Sequence, residues 1–207
     1  MVAVHLIYDL TELYPVLKLP NPRLYLTVKN WGGIAFFLIS GVTVTLGHRS
    51  VRRGLIVLAC GLPVSAVTCL TGMPVRFGVL QSLGCCMLLW RFFRGASPGR
   101  LLAVGIAMAA TGFLFAGITV RAAFLYPLGL TAPTFSSADF FPLLPYFGYF
   151  LLGAACGKRF YRDKISLFPN SPHFSFLRFC GRHSLAIYLI HQPVLIGAIE
   201  AVAAFRT

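Results

Sequence analysis

The sequence predicts an all-α fold, a polytopic bundle of about seven transmembrane helices with the first one truncated. Three observations predict it. The chain is 57% hydrophobic, with a mean hydropathy of +0.80 and 11% charged residues, where a soluble domain carries about 25% charged. Its apolar residues fall into runs that approach the ~20 residues of a spanning helix. Barrel-type alternation is absent from those runs, which leaves the helix as the spanning structure that satisfies its own backbone. The net charge of +13 does not form the single patch a nucleic acid would need. The cations sit between apolar runs, where they set membrane orientation.

Residues 1–14 are apolar but short. Fourteen helical residues cover about 21 Å of a hydrocarbon core about 30 Å thick, and neither a charged start nor a small-residue cleavage site marks a signal peptide. This stretch is expected to be the outer part of a first helix, so that residues 1–207 form one multi-pass domain lacking its N-terminal start. Six fuller runs follow, at about 32–47, 54–72, 77–93, 101–119, 140–157 and 182–204. The first contains Phe36, Phe37, Leu38, Ile39, Ser40 and Gly41, whose small residues suit close helix contact. Cys60, Cys69, Cys85, Cys86, Cys156 and Cys180 lack metal-type spacing to a histidine and read as small apolar packing residues.

The connections after the second, fourth and sixth helices hold Arg49, Arg52 and Arg53, then Arg91, Arg94 and Arg100, then Lys158, Arg159, Arg162, Lys164, Arg178 and Arg182. The other side holds half as many: Lys18, Arg23, Lys29, Arg76, Arg121 and Arg206. The positive-inside rule makes the richer side cytoplasmic, sends the first helix outward and leaves the C-terminus outside. Connections 15–31 and 119–139 are then outside, rich in Pro, Gly, Ser and Thr. The inside connection, 158–181, alternates cations with Phe160, Phe168, Phe174, Phe176 and Phe179. That composition fits a segment along the lipid headgroups, and it also suits a phosphate-bearing ligand.

The last run opens with residues 181–193, Gly-Arg-His-Ser-Leu-Ala-Ile-Tyr-Leu-Ile-His-Gln-Pro. Ser184, Tyr188 and His191 stand at i, i+4 and i+7 and share one face of an otherwise apolar helix. Pro193 lacks an N–H and frees the carbonyl of Leu189. A histidine at mid-membrane depth is costly and is a functional candidate by default; the plainer alternative is a histidine that joins two helices. His5, Asp9 and Glu12 repeat the i, i+4, i+7 pattern on the first helix, with Tyr8 beside them. A carboxylate one turn from an imidazole can fix its tautomer and raise its basicity, as a general base needs. Alternatively, Asp9 and Glu12 lie at the outer interface and His5 packs. Counting back from Pro15 puts His5 about 15 Å inside the outer boundary. His191 sits near the middle of its own helix, so both histidines can lie at similar depth.

Arg76 stands at the outer entrance of the fourth helix. Gln81, a buried amide, either bridges helices or reads a ligand. Asp139, after Ser136 and Ser137, is placed to cap the sixth helix. His183 begins the last helix on the cytoplasmic side, where a headgroup contact also explains it; His48 and His173 are loop residues. A serine-nucleophile motif, a phosphate-binding glycine loop and a zinc signature are absent, so no metal is expected. The inventory suits proton abstraction from a nucleophilic acceptor better than redox or metal work.

Several stretches together resemble one family. Residues 5–10 (His-Leu-Ile-Tyr-Asp-Leu), 36–41, 76–84, 139–148 and 181–195 resemble bacterial proteins with the catalytic domain of heparan-alpha-glucosaminide N-acetyltransferase, a multi-pass family related to membrane acyltransferases. The pieces spread over nearly the whole chain in the right order, and residues 181–193 are the most specific. The resemblance implies an acyl group taken from acetyl-CoA on the cytoplasmic side and delivered to an acceptor on the other; for the lysosomal enzyme that acceptor is a terminal glucosamine. Carried to this chain, it implies His5 as catalytic base with Asp9 as its orienter, and His191 as a second catalytic residue. Arg76 and Asp139 would face the acceptor at the outer mouth, with Gln81, Tyr188 and Gln192 completing the substrate-binding set. Arg182 and His183, among the cytoplasmic cations, would hold the phosphates of acetyl-CoA, which is a co-substrate. The expected partners are the lipid bilayer and a sugar or glycan of the cell envelope, not nucleic acid, in a bacterial cytoplasmic (inner) membrane; a homo-oligomer stays open. Two rivals remain. One is a transporter or flippase whose polar stripes line a path without bond chemistry, weakened by the lack of a clear internal repeat. The other is a non-catalytic membrane subunit whose polar residues only join helices.

Overall fold

A computed structural model of the chain describes residues 2–14, 22–70, 72–162 and 175–204. Among these the fold is all-α, with eight α-helices: α1 Val2–Tyr8, α2 Pro22–Leu46, α3 Ser50–Leu70, α4 Val79–Phe93, α5 Pro98–Phe115, α6 Leu143–Phe160, α7 Ser175–Arg182 and α8 Ser184–Ala204. Helices α3, α5 and α8 are long and apolar enough to cross a membrane, which makes this a polytopic membrane protein. Their outward residues are apolar too. Leu62 and Leu70 on α3, Phe113 and Leu114 on α5, and Ile190 and Val194 on α8 are all exposed, a surface that suits lipid chains and not water.

Two connections differ from expectation. Helix α2 begins at Pro22 and not near residue 32, so Arg23 and Lys29 lie in a helix and not in an outer loop. Proline suits a first helical position, where its missing N–H has no partner to lose, and Lys29 and Asn30 interrupt the apolar run without interrupting the helix. The connection 158–181 holds a further helix, α7, along which Phe176, Leu177 and Phe179 are exposed beside Arg178 and Arg182. An exposed mixture of aromatics and cations is what a headgroup-level helix presents. The remainder of that connection, with Lys164, Phe168, His173 and Phe174, lies outside the described residues. So do Pro15, Lys18, Arg206 and the side chains of Tyr8 and Glu12.

The chain divides into two compact units, Met1–Gly33 with Asn170–Thr207, and Ile34–Pro169. In the first, α1 packs on α8. Beyond Tyr8 the helix continues as a wide π turn, Asp9–Leu13, closed by the Tyr14 N–H on the Asp9 carbonyl at 2.7 Å. The Tyr14 hydroxyl donates to Glu200 Oε1 at 2.8 Å and ties the end of this helix to α8.

In the second unit α3 packs on α4, α5 on α6, and α4 touches α6, around a core that includes Phe37, Trp90, Leu101, Phe150 and Leu151. A Cβ on Gly41 would run into the carbonyl oxygen of Phe150, and one on Gly153 into that of Leu38. Helices α2 and α6 therefore meet backbone to backbone, which only the smallest residues allow. The helix ends also sort the charges. Arg49, Arg52, Arg53, Arg91, Arg94, Arg100, Lys158, Arg159 and Arg162 belong to one end of this unit, and Arg76 and Arg121 to the other.

Candidate active site

The two polar stripes meet in the first unit. The rings of His5 on α1 and His191 on α8 lie edge to face, with centroids 4.9 Å apart at 76°. One turn beyond His5, at the head of the π turn, Asp9 is fully buried, and its Oδ1 accepts from Gln192 Nε2 at 2.8 Å. The carboxylate expected to orient His5 is thus bound to the residue that follows His191. His191 is 9% exposed, and its Nδ1 lies 2.6 Å from the carbonyl of Tyr188. A carbonyl can only accept, so Nδ1 carries the proton and Nε2 the lone pair. That carbonyl, and not the one on Leu189 that Pro193 frees, holds the ring. The Tyr188 ring lies 5.5 Å from it.

Three buried atoms of this cluster have no partner among the described residues: His191 Nε2, Asp9 Oδ2 and Gln192 Oε1. Buried polar atoms are nearly always satisfied, and an orphan costs about 1–3 kcal/mol. Three such atoms gather on one cluster among the described residues. With the imidazole in this tautomer and Asp9 ionised, all three are acceptors, a set that a donor such as an amine or a hydroxyl could complete.

In the second unit several polar side chains are already engaged. Gln81 Nε2 donates to the Gly61 carbonyl at 3.1 Å and to Ser65 Oγ, so both amide protons are held by α3. Of the two roles open to Gln81, its geometry serves the helix bridge. Ser65 Oγ carries the link on to the Val75 carbonyl at 2.7 Å. Asp139 Oδ2 accepts from the Val79 N–H at 3.4 Å and so caps the start of α4, not that of α6, whose own cap position is Pro142. Ser137 Oγ accepts from the Arg76 N–H at 2.8 Å and donates to the Asp139 carbonyl at 2.7 Å. This strap brings Arg76 and Asp139 together. The Arg76 guanidinium is exposed and stands 6.0 Å over the Phe135 ring, in an aromatic group with Tyr126, Phe140 and Phe77. Phe77 has φ 58°, the left-handed region that a bulky residue rarely adopts, and its carbonyl accepts from the Phe141 N–H at 3.0 Å. Strain of this kind persists only where the surroundings hold it, and it gathers at functional sites.

Arg182 and His183 are not part of the histidine cluster. His183 Nδ1 donates to the Phe179 carbonyl at 3.0 Å, and both residues are exposed, about 12 Å along α8 from His191 at 1.5 Å per residue. A second cationic feature lies at the charged end of the second unit. Lys158, Arg159 and Arg162 read from the sequence as orientation signals in a connection that also suits a phosphate-bearing ligand, and they line a cleft there. Burial first, and then the Arg94 charge, hold the Lys158 ammonium below the usual lysine value.

A polytopic helical membrane protein with an unsaturated histidine–carboxylate–amide cluster is the class these features define. Residues 1–193 match the family described as heparan-alpha-glucosaminide N-acetyltransferase, catalytic; the chain belongs to that family, a family of acyltransferases. The match takes in His5, Asp9, Arg76, Asp139, His191 and Gln192. No curated protein and no solved structure matches the chain.

Proposed function

We propose that this chain is a membrane acyltransferase that moves an acetyl group from acetyl-CoA at the cytoplasmic face to an amine or hydroxyl of a cell-envelope sugar at the outer face of a bacterial inner membrane. The observation that carries the reading is the buried trio of atoms without a partner among the described residues, His191 Nε2, Asp9 Oδ2 and Gln192 Oε1. A sugar amine or hydroxyl is the donor they lack. His191 is the base, because its tautomer leaves Nε2 unprotonated. Nε2 takes the proton of the acceptor as the acceptor's lone pair attacks the acyl carbon. The new C–N or C–O bond forms, the C–S bond breaks, and the imidazolium returns the proton to the departing thiolate. Asp9, tied through Gln192 to the next position on α8, favours the transient imidazolium by its charge. His5 packs edge-on against His191 and keeps its ring in place.

The sorting of charge in the second unit supports the sidedness, since the cation-rich end is the cytoplasmic one by the positive-inside rule. Arg76, Asp139 and the aromatic group at the opposite end suit an acceptor there, apolar faces for the ring and polar groups for its hydroxyls. Arg182 and His183, exposed at the head of α8, would meet the CoA phosphates. The test uses sealed vesicles bearing the chain, with labelled acetyl-CoA on the cytoplasmic face and a panel of amino and neutral sugars on the other. Label is expected to reach a sugar with the wild type and not with His191→Ala. Wild-type transfer by that variant sinks the assignment, and sugar movement without acetyl-CoA turns it towards a transporter.

A further inference from the structure

The cation-rich end of the second unit is not a flat surface. A cleft of about 520 Å³ opens there, within the ~300–1,000 Å³ of small-molecule sites. Its walls include Thr45 at the end of α2, Pro98 at the start of α5, and Lys158, Arg159, Tyr161 and Arg162 at the end of α6. We propose that this cleft is a binding site for the phosphate groups of an anionic ligand.

The donors are of the right kind. Arg159 and Arg162 are exposed and offer planar forks that match phosphate oxygens two at a time. Lys158 Nζ donates to the carbonyls of Arg94 and Ala96 at 2.6 and 2.7 Å, which pins the end of α6 beside the end of α4 and leaves one N–H over. Tyr161 adds a hydroxyl. Helix α5 begins at the wall, with Ser97 Oγ accepting from the Arg100 N–H at 3.3 Å, and the start of an 18-residue helix favours negative charge. Among the described residues, the lining holds no carboxylate to neutralise this set.

Membrane orientation alone does not account for the arrangement. The positive-inside rule counts lysines and arginines near a helix end without regard to where they point, whereas these three converge on one cavity with a tyrosine. Phosphate reaches such a site from two sources, a soluble polyphosphate or the headgroup of an anionic lipid in the adjoining leaflet. The proposal stands on the cleft and not on acyl transfer, so it survives if the histidine cluster proves to do something else.

The test uses the full chain in phosphatidylcholine discs. Inorganic pyrophosphate binding is measured by calorimetry, and retention of phosphatidylglycerol from mixed discs by mass spectrometry. Arg159→Lys with Arg162→Lys keeps the charge that sets topology and removes the forks. Arg49→Lys with Arg52→Lys makes the same change at the same end but outside the cleft. The first pair is expected to weaken one probe about tenfold and the second to leave both unchanged. Loss confined to pyrophosphate identifies a soluble ligand, and loss confined to phosphatidylglycerol a lipid headgroup; either supports the site. Equal weakening by both pairs, or saturable binding of neither probe by the wild type, overturns it. A readout that needs no variant is protection of Arg159 and Arg162 from phenylglyoxal by either probe, and failure of both probes to protect also overturns it.

Discussion

Gln81 in the second unit and His191 in the first are both polar side chains in helices otherwise built of apolar residues, and the chain treats them in opposite ways. Gln81 gives both amide protons to α3, one to the Gly61 carbonyl and one to Ser65. His191 gives its one proton to its own helix, at the Tyr188 carbonyl, and among the described residues its buried Nε2 has no partner, as is true of one oxygen each on Asp9 and Gln192. Ser82, whose buried hydroxyl has only the Cys86 thiol beside it, stands apart from any such cluster among the described residues of the second unit. A saturated polar group inside a membrane bundle holds helices together. A group of unsaturated ones among the described residues is a cost, and under the proposed function the acceptor sugar offsets it.

The comparison can be broken, first, at its strongest point. His191→Ala is expected to reduce acyl transfer about 10²–10⁴-fold, the usual weight of a general base, with expression and elution profile unchanged; a variant that transfers normally would put His191 in the same class as Gln81. Gln192→Leu comes next. It leaves Asp9 Oδ1 without its donor, which costs about 1.5–3 kcal/mol for a hydrogen bond to a charged group, so both transfer rate and detergent-solution stability should fall. Gln81→Leu should do only the second. Unfolding stability is expected to drop by about 1–3 kcal/mol as two acceptors lose their donor, while transfer per folded molecule is kept; a selective loss of transfer would show that Gln81 touches substrate after all. The smallest effect belongs to Ser137→Ala, about 0.5–1.5 kcal/mol of stability, seen as a lower melting temperature with the acceptor preference unaltered.

What the sequence disclosed follows from what is local. Spacing along one helix set His5 and Asp9 on one face and His191 with Tyr188 on another. A count of 1.5 Å per residue put the two histidines at similar depth, and their rings lie 4.9 Å apart. Choice of partner is not local. Asp9 is one turn from His5 yet bonds Gln192, and Asp139 is four residues before the start of α6 yet caps α4. Neither pairing leaves a trace in spacing, because the groups come from helices far apart in the chain. The early start of α2 was hidden for a different reason: Lys29 and Asn30 lower the local hydropathy, but neither residue type prevents a helix.

The wide turn at Asp9–Leu13 amounts to a helix that has absorbed one surplus residue. On one side of it lies His5 and on the other Tyr14, each with its own contact on α8, to His191 and to Glu200. An ordinary helix of the same sequence would advance a step of rotation further by Tyr14 and could keep only one of those contacts in register. The surplus thus acts as a vernier between two fixed points, letting one short helix meet a long one at both ends. Shortening the segment by one residue would close the turn and force a choice between the histidine pair and the tyrosine tie.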